Sequence, residues 1–436
     1  MNSKVAVNSI PVVSTTYGAL WPILRKEKVE MRLISPIEVY EAVADSYIFG
    51  VGLYLLKDLL RGKKKLNEAE QKYGTDHTPF TSIIIPTYNE PKEVVQSTID
   101  SMLSQDYPQF EVIIADDSKV QNDYKLDGRC KVVRRNNRNG FKGGAIRNAF
   151  NYLDAKSEFV AIFDADSIIK SDVLMRFMQH FKDPKLGAIQ GFIKTSANEE
   201  RNSLTKYLSV ISVLSNYILY GRYIRNGFVA VQGTNEVYRR SAINSIGGVA
   251  PYATVNEDLD TSFRLRLKGW KIAYDPKIVC ECMAPETYKV FAGQLTRWTS
   301  STIREYRRHL SNFLKNKEIK LKEKVDSILF LSTWTISLIV SPTLLLIPLE
   351  LMNSSLPDSL PLSIAMTSLP IITILEVVTR RSNIKLAVKA LGMYFWILIP
   401  GFLVSFKAAI MGMTSDGSFN VTDKGSKPKI HKLNKP

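Results

Sequence analysis

Between residues 81 and 166 the chain alternates short apolar runs with amphipathic helical patterns, and this alternation constrains the fold more than any other feature. Three consecutive isoleucines, Ile83–Ile85, are followed by Pro86, as in a buried parallel strand. Residues 91–105 then carry apolar side chains at helical spacing. Repeated strand–helix–strand units predict a doubly wound α/β sheet, whose ligands bind beyond the carboxyl ends of the strands.

Acidic side chains follow two further predicted strands of this sheet. The strand Phe110–Ala115 runs into Asp116 and Asp117, and the strand Phe159–Phe163 runs into Asp164-Ala-Asp166. Both acidic groups therefore fall where a doubly wound sheet binds its ligands. The elements predicted between them are a weaker strand over residues 131–134 and a helix over residues 144–153.

The pair Asp164 and Asp166 can bind a divalent metal ion. Two carboxylates one residue apart on a loop at a strand end can hold a divalent cation, which then binds a diphosphate. By itself, Asp-x-Asp is more often a solvated turn, but its position after a buried strand favours the metal site.

Three segments at the same edge provide further candidate binding residues. Asp116 and Asp117 can accept hydrogen bonds from a nucleoside, although an Asx-type turn explains the pair equally well. Lys142 stands beside Gly143-Gly144 at a predicted helix start, where backbone amides and an ammonium group can bind phosphate. The remaining nucleoside wall is predicted from the loop after the first strand, with Thr87, Tyr88 and Glu90.

A second acidic group begins a well-marked helix. Asn256 is a suitable N-cap, Glu257 and Asp258 favour the positive helix end, and Gly269 suits the stop. These acids can simply stabilise the helix. The functional alternative is that one carboxylate acts as a general base toward a hydroxyl group.

The segment Gln294-Leu-Thr-Arg297-Trp298 lies on a predicted amphipathic helix. A basic helix on a membrane surface explains this pattern. A functional interpretation adds to it, because Trp298 offers a flat platform for a sugar ring and Arg297 a partner for a departing diphosphate.

Long apolar stretches in the last quarter of the chain predict a membrane region. Residues 327–352 and 360–379 form a hairpin of spans whose connector lacks Lys and Arg. Residues 386–413 are interrupted by Lys389, Pro400 and Lys407, which favours an interfacial or re-entrant helix. In the N-terminal region, residues 41–60 predict an interfacial or a transmembrane helix.

The net charge of +16 agrees with a membrane location. Basic residues flank the apolar segments rather than covering one soluble face, so a nucleic-acid partner is not expected. Three cysteines predict neither a disulfide framework nor a zinc site, and a reducing compartment fits. The basic clusters are Arg61–Lys65, Arg304–Arg308, Arg380–Arg381 and Lys424–Lys435.

Taken together and in order, these motifs resemble family 2 glycosyltransferases, specifically the processive branch of cellulose, hyaluronan and mannan synthases. The resemblance covers Ser82–Trp298, and Gln294-x-x-Arg297-Trp298 is its most specific part. It implies a GT-A type, Rossmann-like catalytic domain with a mostly parallel sheet, followed by transmembrane and interfacial helices. The segment Ser418–Gly425 looks like the gating loop of cellulose synthases, including Phe419, Val421, Thr422 and Lys424.

The resemblance also implies a role for each candidate residue. Asp164 and Asp166 would bind Mg²⁺ or Mn²⁺ and the diphosphate of a UDP- or GDP-sugar, Asp116 and Asp117 the nucleoside, and Asp258 would be the base. The acceptor and leaving-group site would contain Gly233, Thr234, Asn235, Glu257, Gln294, Arg297 and Trp298.

The sequence therefore predicts a multi-pass plasma-membrane enzyme with a cytoplasmic catalytic domain. It would transfer sugar to a growing β-linked polysaccharide by an inverting mechanism, with other subunits or an oligomer for export. Alternatives are a non-processive transferase acting on a polyprenyl phosphate or other lipid, and a non-catalytic sensor or scaffold. The predicted regions are 1–78 (N-terminal helical), 79–310 (catalytic), 311–413 (membrane) and 414–436 (gating-loop-like tail).

Overall fold

The computed structural model describes residues 36–68, 77–250, 255–342 and 400–414, and its core is an eight-stranded mixed sheet. The strand order is β3-β2-β1-β4-β7-β6-β8-β5. β3, β2, β1 and β4 are parallel, β7 is antiparallel to both of its neighbours, and β5 is antiparallel to β8. The strands are β1 (Thr81–Thr87), β2 (Phe110–Asp116), β3 (Cys130–Val133), β4 (Phe159–Ile162), β5 (Ile168–Ile169), β6 (Leu186–Lys194), β7 (Glu236–Arg239) and β8 (Lys271–Glu281).

Helices cover both faces of this sheet and extend beyond it. In chain order they are α1 (Pro36–Glu68), α2 (Lys92–Leu103), α3 (Phe141–Ala149), α4 (Val173–His180), α5 (Ser203–Ile224), α6 (Arg240–Ser245), α7 (Glu257–Leu267), α8 (Tyr288–Lys315) and α9 (Leu321–Thr335). A further helix covers residues 400–414. The chain divides into two compact units, Met1–Tyr40 and Glu41–Pro436, and the sheet belongs to the second.

The isoleucines of β1 show why this segment is a central strand. All seven residues of β1 are buried. Ile83 and Ile85 join a core that includes Ile99 of α2, whereas Ile84 joins a second core that includes Ile146 of α3. Because alternate side chains point to opposite faces, burial on both faces requires a continuous apolar run. The predicted α/β fold with a mostly parallel sheet is confirmed.

Two helix boundaries depend on left-handed backbone positions. α3 begins at Phe141, three residues before its predicted start, because Gly140 adopts φ +75° and turns the chain into the helix. Lys142 therefore lies in the first turn. At the end of α7, Gly269 adopts φ +85° and its N–H bonds the carbonyl of Arg266, which stops the helix as its sequence predicts.

A buried ion-pair network joins α1, α5 and α9. The Asp326 carboxylate of α9 accepts hydrogen bonds from Tyr54 of α1 (2.8 Å), from Arg222 of α5 (2.9 Å) and from Arg225, which directly follows α5. Arg225 also forms a bidentate pair with Asp58 of α1, at 2.8 and 2.9 Å. Since an unpaired buried charge is costly, the network holds these helices in one arrangement.

Within the described residues, one helix is long and apolar enough to cross a membrane. It covers Leu321–Pro342, and 22 residues at about 1.5 Å each match the roughly 30 Å apolar core of a bilayer. It overlaps the start of the predicted span 327–352. Residues 343–399, with the predicted span 360–379, lie outside the described residues. The helix over 400–414 contacts α8, because Arg307 donates to the carbonyl of Gly412.

Candidate active site

The ends of β1, β2 and β4 place the first acidic residues at one edge of the sheet. Thr87 is in register with Asp116, and the N–H of Asp117 donates to the carbonyl of Thr87 at 2.9 Å. Ile84 is in register with Ile162, so Asp164 follows β4 at the same edge. Parallel strands bring their carboxyl ends together, and the two acidic groups are neighbours for that reason.

Lys142 joins three segments that are distant in sequence. Its ammonium group lies 2.6 Å from Oδ1 of Asp164, 2.7 Å from the carbonyl of Gly233 and 3.9 Å from a carboxylate oxygen of Glu257. Its place in the first turn of α3 directs the side chain toward the loop after β4. One cation therefore brings together the Asp-x-Asp loop, the loop before β7 and the start of α7.

The carboxylate of Asp258 and the ammonium group of Lys142 both lie close to the α-carbon of Gly233. Gly233 adopts φ +84°, and a β-carbon at this position would lie 3.2 Å from Oδ2 of Asp258 and 3.2 Å from Nζ of Lys142. Only a residue without a side chain leaves room for both charged groups here. Asp164, Lys142, Glu257 and Asp258 thus surround the Gly233 turn.

Burial changes the protonation of the carboxyl groups in this cluster. It raises the pKa of Glu257 to about 7 and, together with the charge of Asp258, raises the pKa of Glu236 to about 8. The pKa of Asp258 is also raised, chiefly by burial, and Lys142 opposes the shift. Burial would lower the pKa of Lys142, but Asp164 and Glu257 raise it above its ordinary value. Lys142 is therefore a permanent cation close to Glu257 and Glu236, whose pKa values are raised to about 7 and about 8.

The Asp164–Asp166 loop fits a divalent cation. Asp164 is 40% exposed and already accepts a cationic partner in Lys142. Two hydrogen bonds fix the position of the loop. The Thr234 hydroxyl accepts the N–H of Asp164 at 2.9 Å, and the Asp166 carboxylate accepts the N–H of Met283 at 3.2 Å. Carboxylate oxygens on a supported loop are the ligands that Mg²⁺ and Mn²⁺ prefer.

Arginines partner the predicted nucleoside carboxylates. Asp116 accepts a hydrogen bond from Arg134 at 3.0 Å. The two carboxylate oxygens of Asp117 accept hydrogen bonds from Arg135 at 2.8 and 2.5 Å. The Arg138 guanidinium lies over the ring of Tyr88, 3.1 Å from its centroid. Three arginines therefore accompany the two carboxylates at this edge, so its local charge is more positive than Asp116 and Asp117 alone would give.

Three polar atoms at this edge have no hydrogen-bond partner. Among the described residues, Oγ1 of Thr87 and the Nε atoms of Arg134 and Arg138 are buried without a hydrogen bond. Buried polar groups are rarely left unpaired in native proteins, so three at one place are typical of a binding site for a polar ligand. Glu90, on the same loop as Tyr88, is half-buried.

Two residues of the predicted acceptor segment Gly233–Asn235 are buried and form hydrogen bonds with the elements around the site. Thr234 is buried and hydrogen-bonds the Asp164 loop. The Asn235 side chain is fully buried and donates to the carbonyls of Phe192 (3.0 Å) and Ile278 (2.9 Å), which joins β6 to the middle of β8. The third residue of the segment, Gly233, is the one that lies next to the charged groups of Lys142 and Asp258.

The Gln294, Arg297 and Trp298 side chains lie on α8, which packs against α7. Trp298 is exposed, and Gln294 and Arg297 are half-buried. Asn256, which precedes Glu257, donates to Thr302 of α8 at 3.3 Å. Trp298 lies four positions before Thr302, which is about 6 Å along the helix axis. The exposed tryptophan is therefore about one turn from the start of α7.

A second cluster, Asp260, Glu305 and His309, lies deeper between α7 and α8. Its potential ligand atoms are within 4.8 Å of one another. Asp260 pairs with Arg264 at 2.7 Å and Glu305 with Arg308 at 2.8 Å, and His309 bonds Asp260 at 2.8 Å. Because arginines neutralise both carboxylates, the cluster functions as a polar link between the two helices.

Sequence reasoning missed two charged residues of this site. Glu236, the first residue of β7, accepts the N–H of Gly233 at 2.7 Å and the hydroxyl of Tyr238 at 2.9 Å. Its place directly after the predicted acceptor segment Gly233–Asn235 is a signal that could have identified it. Arg135 could have been found as a basic residue directly after a strand. The predicted gating residues Phe419, Val421, Thr422 and Lys424 lie outside the described residues.

The mostly parallel α/β sheet, with acidic residues beyond the carboxyl ends of its strands, is a fold of the GT-A type. The chain matches the family model described as Glycosyltransferase like family 2 over residues 78–301, about half of its length. The chain therefore belongs to this family of glycosyltransferases. The match ends within α8, three residues beyond Trp298.

Two similar proteins are from Oryza sativa and Arabidopsis thaliana. The chain is 28% identical over 382 residues to the probable glucomannan 4-beta-mannosyltransferase 4 of Oryza sativa subsp. japonica (79% of this chain, 66% of the relative). It is 28% identical over 390 residues to glucomannan 4-beta-mannosyltransferase 9 of Arabidopsis thaliana (80% and 68%). The chain thus spans about two thirds of the length of these relatives.

A solved structure shares the fold across most of the chain. The mannosyltransferase PcManGT from Pyrobaculum calidifontis, in complex with GDP-Man and Mn²⁺, superposes with a TM-score of 0.59 at 17% identity. The superposition covers 87% of this chain and 100% of that one. At this identity the likeness concerns the fold.

Proposed function

We propose that the protein is a membrane-bound inverting glycosyltransferase that extends a β-linked polysaccharide with sugar from a nucleotide-sugar donor. One observation carries this proposal: the Lys142 ammonium group joins Asp164, Gly233 and Glu257, and Asp258 lies against the same turn. This arrangement combines groups for a diphosphate with a carboxylate for an acceptor hydroxyl.

The reaction we propose is a single displacement. The acceptor hydroxyl oxygen forms a bond to the anomeric carbon, the bond from that carbon to the diphosphate oxygen breaks, and Asp258 takes the hydroxyl proton. An α-linked donor then yields a β-linked product. Lys142 stabilises charge that develops on the leaving diphosphate, and Glu257 and Glu236 adjust the field at Asp258.

A divalent cation on Asp164 and Asp166 would provide electrostatic stabilisation of the diphosphate. Mg²⁺ and Mn²⁺ both suit these ligands, and Mn²⁺ accompanies GDP-Man in the structural neighbour. Asp116, Tyr88 and Thr87 are proposed to surround the nucleoside, with the Asp117 carboxylate beside them held by Arg135.

The names of the relatives favour a particular substrate. Two plant relatives are glucomannan mannosyltransferases and the structural neighbour carries GDP-Man, so we propose GDP-mannose as donor and a β-mannan type chain as product. The apolar helix Leu321–Pro342 supports attachment to a bilayer. We propose that the basic flanks, such as Arg304–Arg308, face the cytoplasm.

A donor panel with product sizing tests this function. Full-length protein in detergent would be incubated with GDP-mannose, GDP-glucose, UDP-glucose or UDP-N-acetylglucosamine, each radiolabelled, with Mn²⁺ and lipid extract. We expect GDP-mannose to give a polymer ladder that a β-mannanase degrades. A single sugar on an organic-soluble lipid would instead indicate the non-processive alternative. No nucleotide release with any donor would contradict the enzyme assignment.

The raised carboxyl pKa values predict an unusual pH profile. Asp258 must be ionised to accept a proton, and burial raises its pKa among neighbours Lys142, Glu257 and Glu236. Activity should therefore fall as the pH drops, along a limb that lies above the usual aspartate value of about 3.9. The measurement is kcat against pH at saturating donor and metal ion. Constant kcat down to about pH 5 would contradict the assignment of a buried carboxylate base.

A further inference from the structure

Arg135 forms an unusually complete set of hydrogen bonds for a residue outside regular structure. Its Nε and Nη2 atoms donate to the two carboxylate oxygens of Asp117, at 2.8 and 2.5 Å. Its Nη1 donates to the carbonyl of Asn139 and its Nη2 also to the carbonyl of Phe141, both at 2.7 Å. Both side chains of the ion pair are largely buried. The guanidinium therefore connects the end of β2 with the backbone that enters α3.

The backbone held by Arg135 has an uncommon conformation. Gly140 adopts φ +75° and Phe141 adopts φ +48°, so two successive residues are left-handed and the second carries a β-carbon. The guanidinium also packs closely against the first turn of α3, since a β-carbon at Gly144 would lie 2.4 Å from Nη1. Such a conformation persists only when neighbouring groups hold it.

Lys142 directly follows this turn. Its ammonium group reaches Asp164 and the carbonyl of Gly233 from the first turn of α3. A change in the Phe141 peptide would move the Lys142 side chain relative to both partners. A continuous chain of polar contacts thus runs from Asp117 through Arg135 and the turn to Lys142.

We propose that Arg135 is a positioning residue that couples the nucleoside end of the donor site to its diphosphate end, and that Asp117 acts through it. This inference rests on the proposed function. The neighbouring arginines differ from Arg135, because Arg134 and Arg138 are each about one third exposed and Arg138 lies 3.9 Å from Asp117. Arg135 thus places Lys142 for the diphosphate, while nucleoside contacts belong to other side chains.

The test compares binding of a nucleoside monophosphate with that of the diphosphate. GMP and GDP, and in parallel UMP and UDP, would be titrated with Mn²⁺ into the full-length protein in detergent. In Arg135→Lys, lysine cannot bridge a carboxylate and two carbonyls, so the preference for the diphosphate should fall about tenfold or more. Affinity for the monophosphate should change far less.

Two further variants separate positioning from direct contact. Asp117→Asn should reproduce the Arg135→Lys result, and the double variant should show no additional loss, because both changes act on one link. In Arg135→Ala, added guanidinium chloride should partly restore the diphosphate preference, and equal sodium chloride should not. Arg129→Lys is the matched control, since Arg129 pairs with Asp127 on the exposed surface.

Several outcomes would overturn the coupling. Equal loss of monophosphate and diphosphate affinity in Asp117→Asn would assign that carboxylate directly to the nucleoside. Additive effects in the double variant would also contradict the link. If Arg135→Lys fails to fold by circular dichroism, the isosteric Asp117→Asn decides the question. A native chain that binds no nucleotide and transfers no sugar would overturn the proposed function as well, whereas an active enzyme with an unchanged preference would overturn the coupling alone.

Discussion

Replacing Asp258 by asparagine should reduce sugar transfer by roughly 10²–10⁴-fold, the range expected for loss of a general base. The amide keeps the size of the carboxylate, and its oxygen can still accept the N–H of Leu259, which Asp258 accepts at 2.8 Å. The start of α7 should therefore stay in place. What is lost is the group that takes the acceptor proton.

Donor binding is the measurement that makes this result specific. Titration of GDP with Mn²⁺ into Asp258→Asn should give an affinity within a few fold of the native value, because Lys142, Asp164 and Asp166 are unchanged. Asp172→Asn is the matched control, since Asp172 is an exposed aspartate paired with Arg176 on α4. If GDP affinity fell as far as turnover, Asp258 would belong to donor binding and the assignment as base would be wrong.

Replacing Asp164 or Asp166 by asparagine should also reduce transfer strongly, by roughly 10²–10³-fold, but for a different reason. Here the carboxylates that would hold a divalent cation are weakened, so binding of the diphosphate should fail together with turnover. In Asp164→Asn, Lys142 also loses the charge that it contacts at 2.6 Å.

Metal dependence separates these variants from Asp258→Asn. In the native protein, GDP affinity should fall on chelation and recover when Mn²⁺ or Mg²⁺ is restored. In Asp164→Asn and Asp166→Asn, the affinity should be low and nearly independent of metal concentration. Should both variants keep native, metal-dependent GDP affinity, another set of residues must bind the cation, and the Asp-x-Asp assignment would be wrong.

Local chemistry in the sequence was sufficient to predict the fold class and the sheet edge at which the acidic candidate residues lie. The isoleucine run of β1 cannot be solvated, so it predicts a strand buried on both faces. Acidic residues directly after such strands must lie at the ligand-binding edge of a doubly wound sheet. Asn256 and Gly269 likewise mark the ends of α7, although the Asn256 side chain donates to Thr302 of α8 and does not form the predicted cap hydrogen bond.

Only the tertiary structure decided which charges meet. That Lys142 contacts Asp164 and Gly233, residues 22 and 91 positions away, follows from β4 and β7 being neighbours, a pairing without a local sequence signal. The pKa of Glu236 likewise depends on burial beside Asp258, a residue from another element. Sequence determines the chemistry that each segment carries, whereas long-range packing determines the distances between groups, and electrostatic interactions depend on those distances.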